Sequence, residues 1–349
     1  MSQAKPISVA IGRDVGSWHE RFAEALRTRA SQGLALTYDI VDLERHDWVE
    51  ILEPFEVVIW QPQYMGPRSS GYLKEKIFFL EEYLHKVVVP NFHTVWHFES
   101  KIAQSWLFAL LEAPVPRTVA SFSYVDASAQ LDESQLPLVF KKSFGASSQN
   151  VSLVARKGTA RRRVAQAFSQ QLWDLAKARQ PSPTRRLLAS VGKPWFWAKV
   201  RQKLLQDERT GSVYWQEFVP GNDADLRITV IGDRFAYGFW RRNRPGDFRA
   251  SGSGRIAYTR SIPEEPLRYC IGLNRKLGFD SMAYDILFTP DRFVITEMSY
   301  GYIDSAPFKA EGHFVLRENG SLEYEEGRVW PQWLWVEWAL MRAQRELSE

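Results

Sequence analysis

The chain has 349 residues, 45% of them hydrophobic and 25% charged. That is ordinary for a soluble globular protein and too long for one small core, so two or three packed lobes are expected. The single cysteine, Cys270, excludes an internal disulfide and fits a reducing, cytoplasmic setting. No apolar run is long enough to cross a bilayer, and the opening residues lack the pattern of a signal peptide. The net charge of +4 conceals a concentration: residues 156–203 hold thirteen Lys or Arg against one acid, Asp174, which leaves the remainder at −8. Asymmetry of this kind points to an anionic partner at one face.

In chain order, residues 7–11, 36–41, 56–60 and 87–89 are apolar and strand-like. Residues 18–30, 47–52 and 72–84 between them carry helical spacing. That alternation predicts a parallel sheet covered on both faces. Residues 101–112 form a helix stopped by Pro114 and Pro116. Two β-rich runs, 136–142 and 151–154, flank a loop of small polar residues, 143–150. Helical stretches at 161–179 and 195–205 are separated by Pro181-Ser182-Pro183. Strands follow at 214–219, 226–231 and 234–241, then a Gly/Ser loop at 251–254 and a helix at 265–277. A hairpin, 283–288 with 293–298, is expected to close the sheet, and an amphipathic helix, 333–347, ends the chain. His93 and His97 are four apart, but Thr94 stands where a metalloprotease needs glutamate, so both are read as structural.

The hairpin carries the strongest argument from spacing. With its turn centred near Asp291, Asp285 and Glu297 are equidistant from the centre and face each other. Like charges opposed across a ladder are a cost that a divalent cation removes, and Mg²⁺ prefers carboxylates completed by phosphate oxygens. Ser299, two residues on, adds a hydroxyl on the same face. Without a cation the same pair is an edge hairpin with both acids in solvent.

Upstream features suit a nucleotide. Lys101 opens a helix. Lys141 ends a β-rich run just before the small-residue loop containing Ser147, where backbone N–H groups can approach phosphate. Gln216-Glu217-Phe218-Val219 ends a strand ahead of Pro220-Gly221 and can offer backbone groups to an adenine edge. Asp225-Leu226-Arg227 and Asp247-Phe248-Arg249 each place an acid and an arginine two apart, on one face if the segment is a strand. A guanidinium aimed at a transferring phosphoryl group stabilises its spreading charge. The glycines of Ser251-Gly252-Ser253-Gly254 permit close approach to a ligand. Surface lysines, buried strand ends and surface ion pairs are the structural counterparts of these readings.

The order of these pieces resembles ATP-grasp ligases of the glutathione synthetase and ribosomal-protein glutamate ligase type, over about residues 101–299. The resemblance rests on Lys101, Lys141, Gln216-Glu217-Phe218-Val219, Asp225-Leu226-Arg227, Asp247-Phe248-Arg249-Ala250-Ser251, Asp285-Ile286-Leu287 and Glu297-Met298-Ser299. It implies an α/β, three-lobed ATP-grasp fold: an N-terminal parallel-sheet domain (1–98), a central lobe (99–218) with a basic helical insertion at about 159–212, and a C-terminal lobe (219–349). It also implies ATP and Mg²⁺. Lys101, Lys141 and Ser147 would meet the phosphates, Gln216 to Val219 the adenine, and Asp225 the ribose. Asp285, Glu297 and Ser299 would hold the metal, with Arg227 and Arg249 on the transferring group. Arg241, Ser251, Gly252, Ser253 and Gly254 are the candidate substrate contacts.

The implied reaction activates a small-molecule or glycan carboxylate as an acyl phosphate and couples it to an amine, releasing ADP and phosphate. Ser251 and Ser299 replace the asparagines of the family pattern, which keeps open a nucleotide-binding regulator without turnover. A kinase acting on a hydroxyl is the third reading. The basic, Trp-rich insertion suits the inner face of an anionic membrane or a polyanionic substrate, or else forms a solvated lid. Nucleic acid is not expected, since no binding module is present.

Overall fold

The computed structural model describes residues 6–14, 16–61, 67–98, 100–142, 151–169, 211–250 and 252–346. Ser147, Ser251 and nearly all of the basic insertion, with its predicted helix at 195–205, lie outside the described residues. The chain divides into two compact units, residues 1–99 together with 220–349, and residues 100–219.

The first unit opens with β1 (Ile7–Gly12), α1 (Trp18–Ser31), β2 (Leu36–Val41), α2 (Trp48–Leu52), β3 (Val57–Ile59), α3 (Pro67–Glu82), β4 (Val87–Val89) and α4 (Phe92–Val95). The four strands pair in parallel in the order β2-β1-β3-β4. Val57, Val58 and Ile59 are fully buried, as expected where helices cover both faces of a sheet.

The second unit contains α5 (Lys101–Leu110), β5 (Thr118–Ser121), α6 (Tyr124–Glu133), β6 (Leu138–Lys141), β7 (Val151–Val154), α7 (Lys157–Ala167) and β8 (Val213–Glu217). Its antiparallel sheet has the order β5-β8-β6-β7. The sequence reading lacked β5 and α6, whose short polar-rich segments carry little periodicity.

The first unit resumes with β9 (Ala224–Ile231), β10 (Phe235–Arg242), β11 (Ile256–Ala257), α8 (Glu264–Leu277), β12 (Ser281–Phe288), β13 (Phe293–Ser299), α9 (Ser305–Phe308), β14 (Gly312–Leu316), β15 (Leu322–Glu326) and α10 (Pro331–Glu346). The sheet runs β13-β12-β9-β10-β14-β15, with β11 beside β10. The β12–β13 hairpin therefore bounds one edge only; β14 and β15, absent from the sequence reading, extend the other. Helix α8 has Glu264 and Glu265 in its first turn, Arg275 and Lys276 in its last, and Gly278 at φ 65° as its left-handed cap. Each choice complements the helix dipole or its stop.

One face of the β9–β10–β12 sheet changes character along its length. At one end Ile231, Tyr237 and Ala283 join a core with Trp335, Trp338 and Ala339 of α10 and with Val57 and Ile59 of the N-terminal sheet. Asp280, just before β12, locks that end. It accepts from the Asn91 backbone N–H at 2.6 Å, Trp338 Nε1 at 2.6 Å and Arg342 Nη1 at 3.0 and 3.1 Å. At the other end the same face carries charge.

Candidate active site

Beyond the Thr289–Arg292 turn, β12 and β13 pair Phe288 with Phe293, Leu287 with Val294 and Ile286 with Ile295. In an uninterrupted ladder Asp285 would next face Thr296. A bulge intervenes, so Glu297 stands opposite Asp285 instead, and the Thr296 hydroxyl donates to the Asp285 carbonyl at 3.1 Å. Bulges of this kind re-aim side chains beside functional sites. Ser299 faces Ala283 two pairs further on, and its hydroxyl donates to the Gly301 carbonyl at 3.0 Å.

The neighbouring strands complete a charged row. Arg227 of β9 lies opposite Asp285, and Arg241 of β10 lies opposite Asp225. Arg227 grips Asp285 bidentately, Nε to Oδ1 at 2.7 Å and Nη2 to Oδ2 at 2.9 Å. Arg241 grips Asp225 at 2.7 and 2.5 Å and also reaches Asp285 Oδ2 at 2.8 Å. Burial acts to raise the Asp285 pKa, but Arg227 and Arg241 outweigh it and hold that carboxyl well below the usual range. Burial and the Asp285 charge push Asp225 upward against the pull of Arg241.

These contacts revise several expectations. Both oxygens of Asp225 accept from Arg241, so the expected ribose contact is also a member of the charged row. Arg241, buried at 7% exposure, is a strut between two acids and not a substrate contact. Arg227 is committed to Asp285 and orients that carboxylate. Asp247-Phe248-Arg249 lies in the loop between β10 and β11, not in a strand, and Arg249 Nη2 donates to Asp247 Oδ2 at 2.6 Å. In that loop Gly252 and Gly254 have φ of 71° and 69°, a region glycine adopts without strain. Ser253 lies between them, and Arg255 N–H donates to its hydroxyl at 3.2 Å.

The second unit holds the other candidates. Lys101 opens α5, where the Ser100 hydroxyl caps the Ala103 N–H at 3.2 Å, and it is 5% exposed, not a surface lysine. Lys141 ends β6 with Nζ 6.0 Å from the Tyr214 ring centroid. Gln216 is buried and donates to Thr118 Oγ1 at 3.2 Å; Glu217 pairs with Arg117 at 3.5 Å. The N–H groups of Glu217 and Phe218 donate to the Arg117 and Pro137 carbonyls at 2.9 and 3.2 Å. Those two donors, expected to face a base, are spent within the sheet. Val219 ends this unit, one residue before the chain re-enters the first.

The donor set fits a hard divalent cation, with a condition. Asp285 accepts three guanidinium contacts and retains one acceptor position of roughly four; Glu297 faces it and Ser299 adds a hydroxyl. Among the described residues no group of three His, Cys, Asp or Glu is placed to hold a metal. Two carboxylates alone suit Mg²⁺ when phosphate oxygens and water complete its octahedron. His97, read as structural, is 1% exposed and its burial lowers its pKa to about 3, so it stays neutral. Sequence reasoning passed over Asp14, His19 and Gln61. The available signal was the place of Asp14 and Gln61 just past the carboxyl ends of the first and third strands; His19 lies in the first turn of α1.

Residues 165–301 match the RimK-like ATP-grasp domain. Among solved structures, the ATP-grasp ligase PsnB complexed with a minimal precursor has a TM-score of 0.56 at 14% identity, covering 97% of this chain and 99% of that one. D-cycloserine synthetase DcsG gives 0.56 at 16% identity, with the same coverage. A RimK domain ATP-grasp protein from Sphaerobacter thermophilus DSM 20745 gives 0.51 at 16% identity, over 86% and 93% of the two chains. No curated protein matches the sequence. The chain has the ATP-grasp fold.

Proposed function

We propose that this ATP-grasp chain is an ADP-forming ligase that activates a carboxylate as an acyl phosphate and couples it to an amine. The observation that carries the reading is the row Glu297–Asp285–Arg227 across three adjacent strands, in which two carboxylates stand opposite each other and Arg227 and Arg241 hold the pKa of Asp285 down. In support, structures of the fold relative PsnB contain Mg and ADP, or AMPPNP with a precursor peptide.

Asp285, Glu297 and Ser299 would hold Mg²⁺, which supplies charge neutralisation between phosphate oxygens. Arg227 and Arg241 keep Asp285 ionised and oriented. Lys101 and Lys141 meet the phosphates, and residues 216–219 meet the base through groups other than the Glu217 and Phe218 N–H, which are spent within the sheet. Arg249, half-buried in the loop between β10 and β11, steadies the charge spreading over the transferring group. Such a site works by positioning and electrostatics, without a protein nucleophile. The basic insertion extends the reading to an anionic carboxylate, for instance a uronic acid of a glycan precursor met at a membrane surface. Deleting residues 170–205 and measuring binding to anionic vesicles tests that extension; undiminished binding removes it.

The deciding assay mixes the full chain with ATP, Mg²⁺ and a panel of carboxylic acids, with and without amines, and traps with hydroxylamine. A hydroxamate formed together with ADP supports the reading. ADP with a phosphorylated alcohol identifies a kinase, and tight ATP binding without turnover identifies a regulator.

A further inference from the structure

The N-terminal sheet order β2-β1-β3-β4 has its topological switch between β1 and β3. In open parallel sheets ligands bind outside the carboxyl ends of the strands at such a switch. The two strands are pinned there: a Cβ added to Gly12 would lie 2.3 Å from the Trp60 ring. Past the end of β1 stands Asp14, its side chain 1% exposed, and past the end of β3 stands Gln61, 6% exposed.

Both carry a buried oxygen that nothing among the described residues satisfies. Asp14 Oδ1 accepts from the Gly16 N–H at 3.0 Å and contacts His19 Nδ1 at 2.7 Å. Asp14 Oδ2 and Gln61 Oε1 have no partner. A buried acceptor left without a donor costs about 1–3 kcal/mol, more for a charged one. Two such acceptors at one switch point call for a ligand that donates hydrogen bonds and carries positive charge. An amine does both.

Placement ties this pair to the charged row. The Tyr302 ring packs edge-on against Trp18 at 5.8 Å. Tyr302 is three residues past Ser299, a span of at most about 11 Å. Trp18 immediately precedes His19. All of these residues lie in the one compact unit.

We propose that Asp14, His19 and Gln61 form the acceptor subsite, which takes a primary amine. The proposal rests on the ligase reading above and adds the residue that handles the proton. Asp14 fixes the Nδ1–H tautomer of His19 and leaves Nε2 as a base. The amine nitrogen attacks the acyl carbon and the C–N bond forms. The C–O bond to phosphate breaks, and phosphate leaves with its electron pair. Two protons leave the nitrogen in all: the bound ammonium first gives one to His19 Nε2, which releases it to solvent and so frees the lone pair for attack, and the second passes to the departing phosphate as the amide forms. Asp14 Oδ2 and Gln61 Oε1 accept the remaining N–H groups and orient the lone pair. Asp14 is also a positioning residue, because it acts through His19.

The test follows the imidazole ¹⁵N resonances of the full chain during titration with glycinamide, with and without AMPPNP and Mg²⁺. His19 is assigned through His19→Gln. The expected result is an Nδ1–H tautomer for His19 and an Nε2 shift that saturates with glycinamide. Asp14→Asn should abolish the tautomer preference and weaken amine affinity about ten- to a hundredfold, while AMPPNP affinity stays unchanged. Gln61→Leu, which keeps the carboxylate–imidazole pair, should preserve the tautomer and weaken the amine alone. An Nε2–H tautomer, or no His19 response to glycinamide in protein that binds AMPPNP, overturns the proposal. Protein that answers glycinamide but binds no AMPPNP contradicts the ligase reading and leaves the amine subsite standing.

Discussion

Two buried aspartates five residues apart, Asp280 just before β12 and Asp285 within it, have opposite fates. Asp280 is closed on every side: backbone, indole and guanidinium donors fill both its oxygens, and burial pushes its pKa up against Arg342. Asp285 has an arginine pair behind it and a second carboxylate in front of it, and its pKa is held down. A saturated acid belongs to the architecture. An ionised acid with a free acceptor position, facing another acid, is a ligand in waiting. The same side chain serves either end depending on who supplies its donors.

That contrast can be broken experimentally. The largest effect is expected at the closed acid. Asp280→Asn removes the buried carboxylate that ties β4, β12 and α10 together, although Arg342 keeps Glu346 and the Val88 carbonyl, and should cost about 3–5 kcal/mol of stability, measured by urea unfolding. Asp285→Asn should instead keep the fold, because Arg241 retains Asp225 and Arg227, with its side chain 19% exposed, can turn to water. Its ligase turnover should fall about a hundred- to a thousandfold, read as ADP release.

A third test uses Glu81, which accepts the Phe92 N–H at 2.8 Å and whose burial raises its pKa to about 7. The folded pKa exceeds the unfolded value near 4.5, so the native state binds more protons between those values. Stability attributable to Glu81 is therefore full below about pH 4.5 and declines as pH rises through 7. Glu81→Gln should remove that decline and gain up to about 3 kcal/mol at pH 8, seen as a flatter pH profile of the unfolding midpoint. The smallest effect is at the loop between β10 and β11. Arg249→Ala should leave stability within about 0.5 kcal/mol while lowering turnover about ten- to a hundredfold.

The sequence was legible where side chains alternate or cluster on a regular lattice. The parallel N-terminal sheet followed from apolar runs between helical spacings, and the opposition of Asp285 and Glu297 from counting outward from the turn. That count came out right through a second feature that it did not contain. The paired residues below the bulge are centred half a residue earlier, and the extra residue at Thr296 restores Glu297 to its place. What stayed hidden was which groups partner one another across the sheet. Arg227, Arg241 and Asp225 read equally well as groups meeting phosphate, ribose or substrate, because sequence spacing cannot tell a ligand contact from a strut two strands away. Asp14 and His19 stayed hidden for a related reason: their pairing depends on how a loop turns into α1, which periodicity does not encode. The β14–β15 hairpin was missed because its outer strand, Leu322–Glu326, is mostly acidic and lies at the sheet edge.

The most direct test of the account is calorimetric titration of AMPPNP into the full chain, with and without Mg²⁺, for the wild type and Asp285→Asn. The account predicts nucleotide affinity that Mg²⁺ strengthens in the wild type, and a loss of that strengthening of at least about tenfold in the variant. Undetectable nucleotide binding by the folded wild type, or a Mg²⁺ effect that survives Asp285→Asn intact, would contradict it.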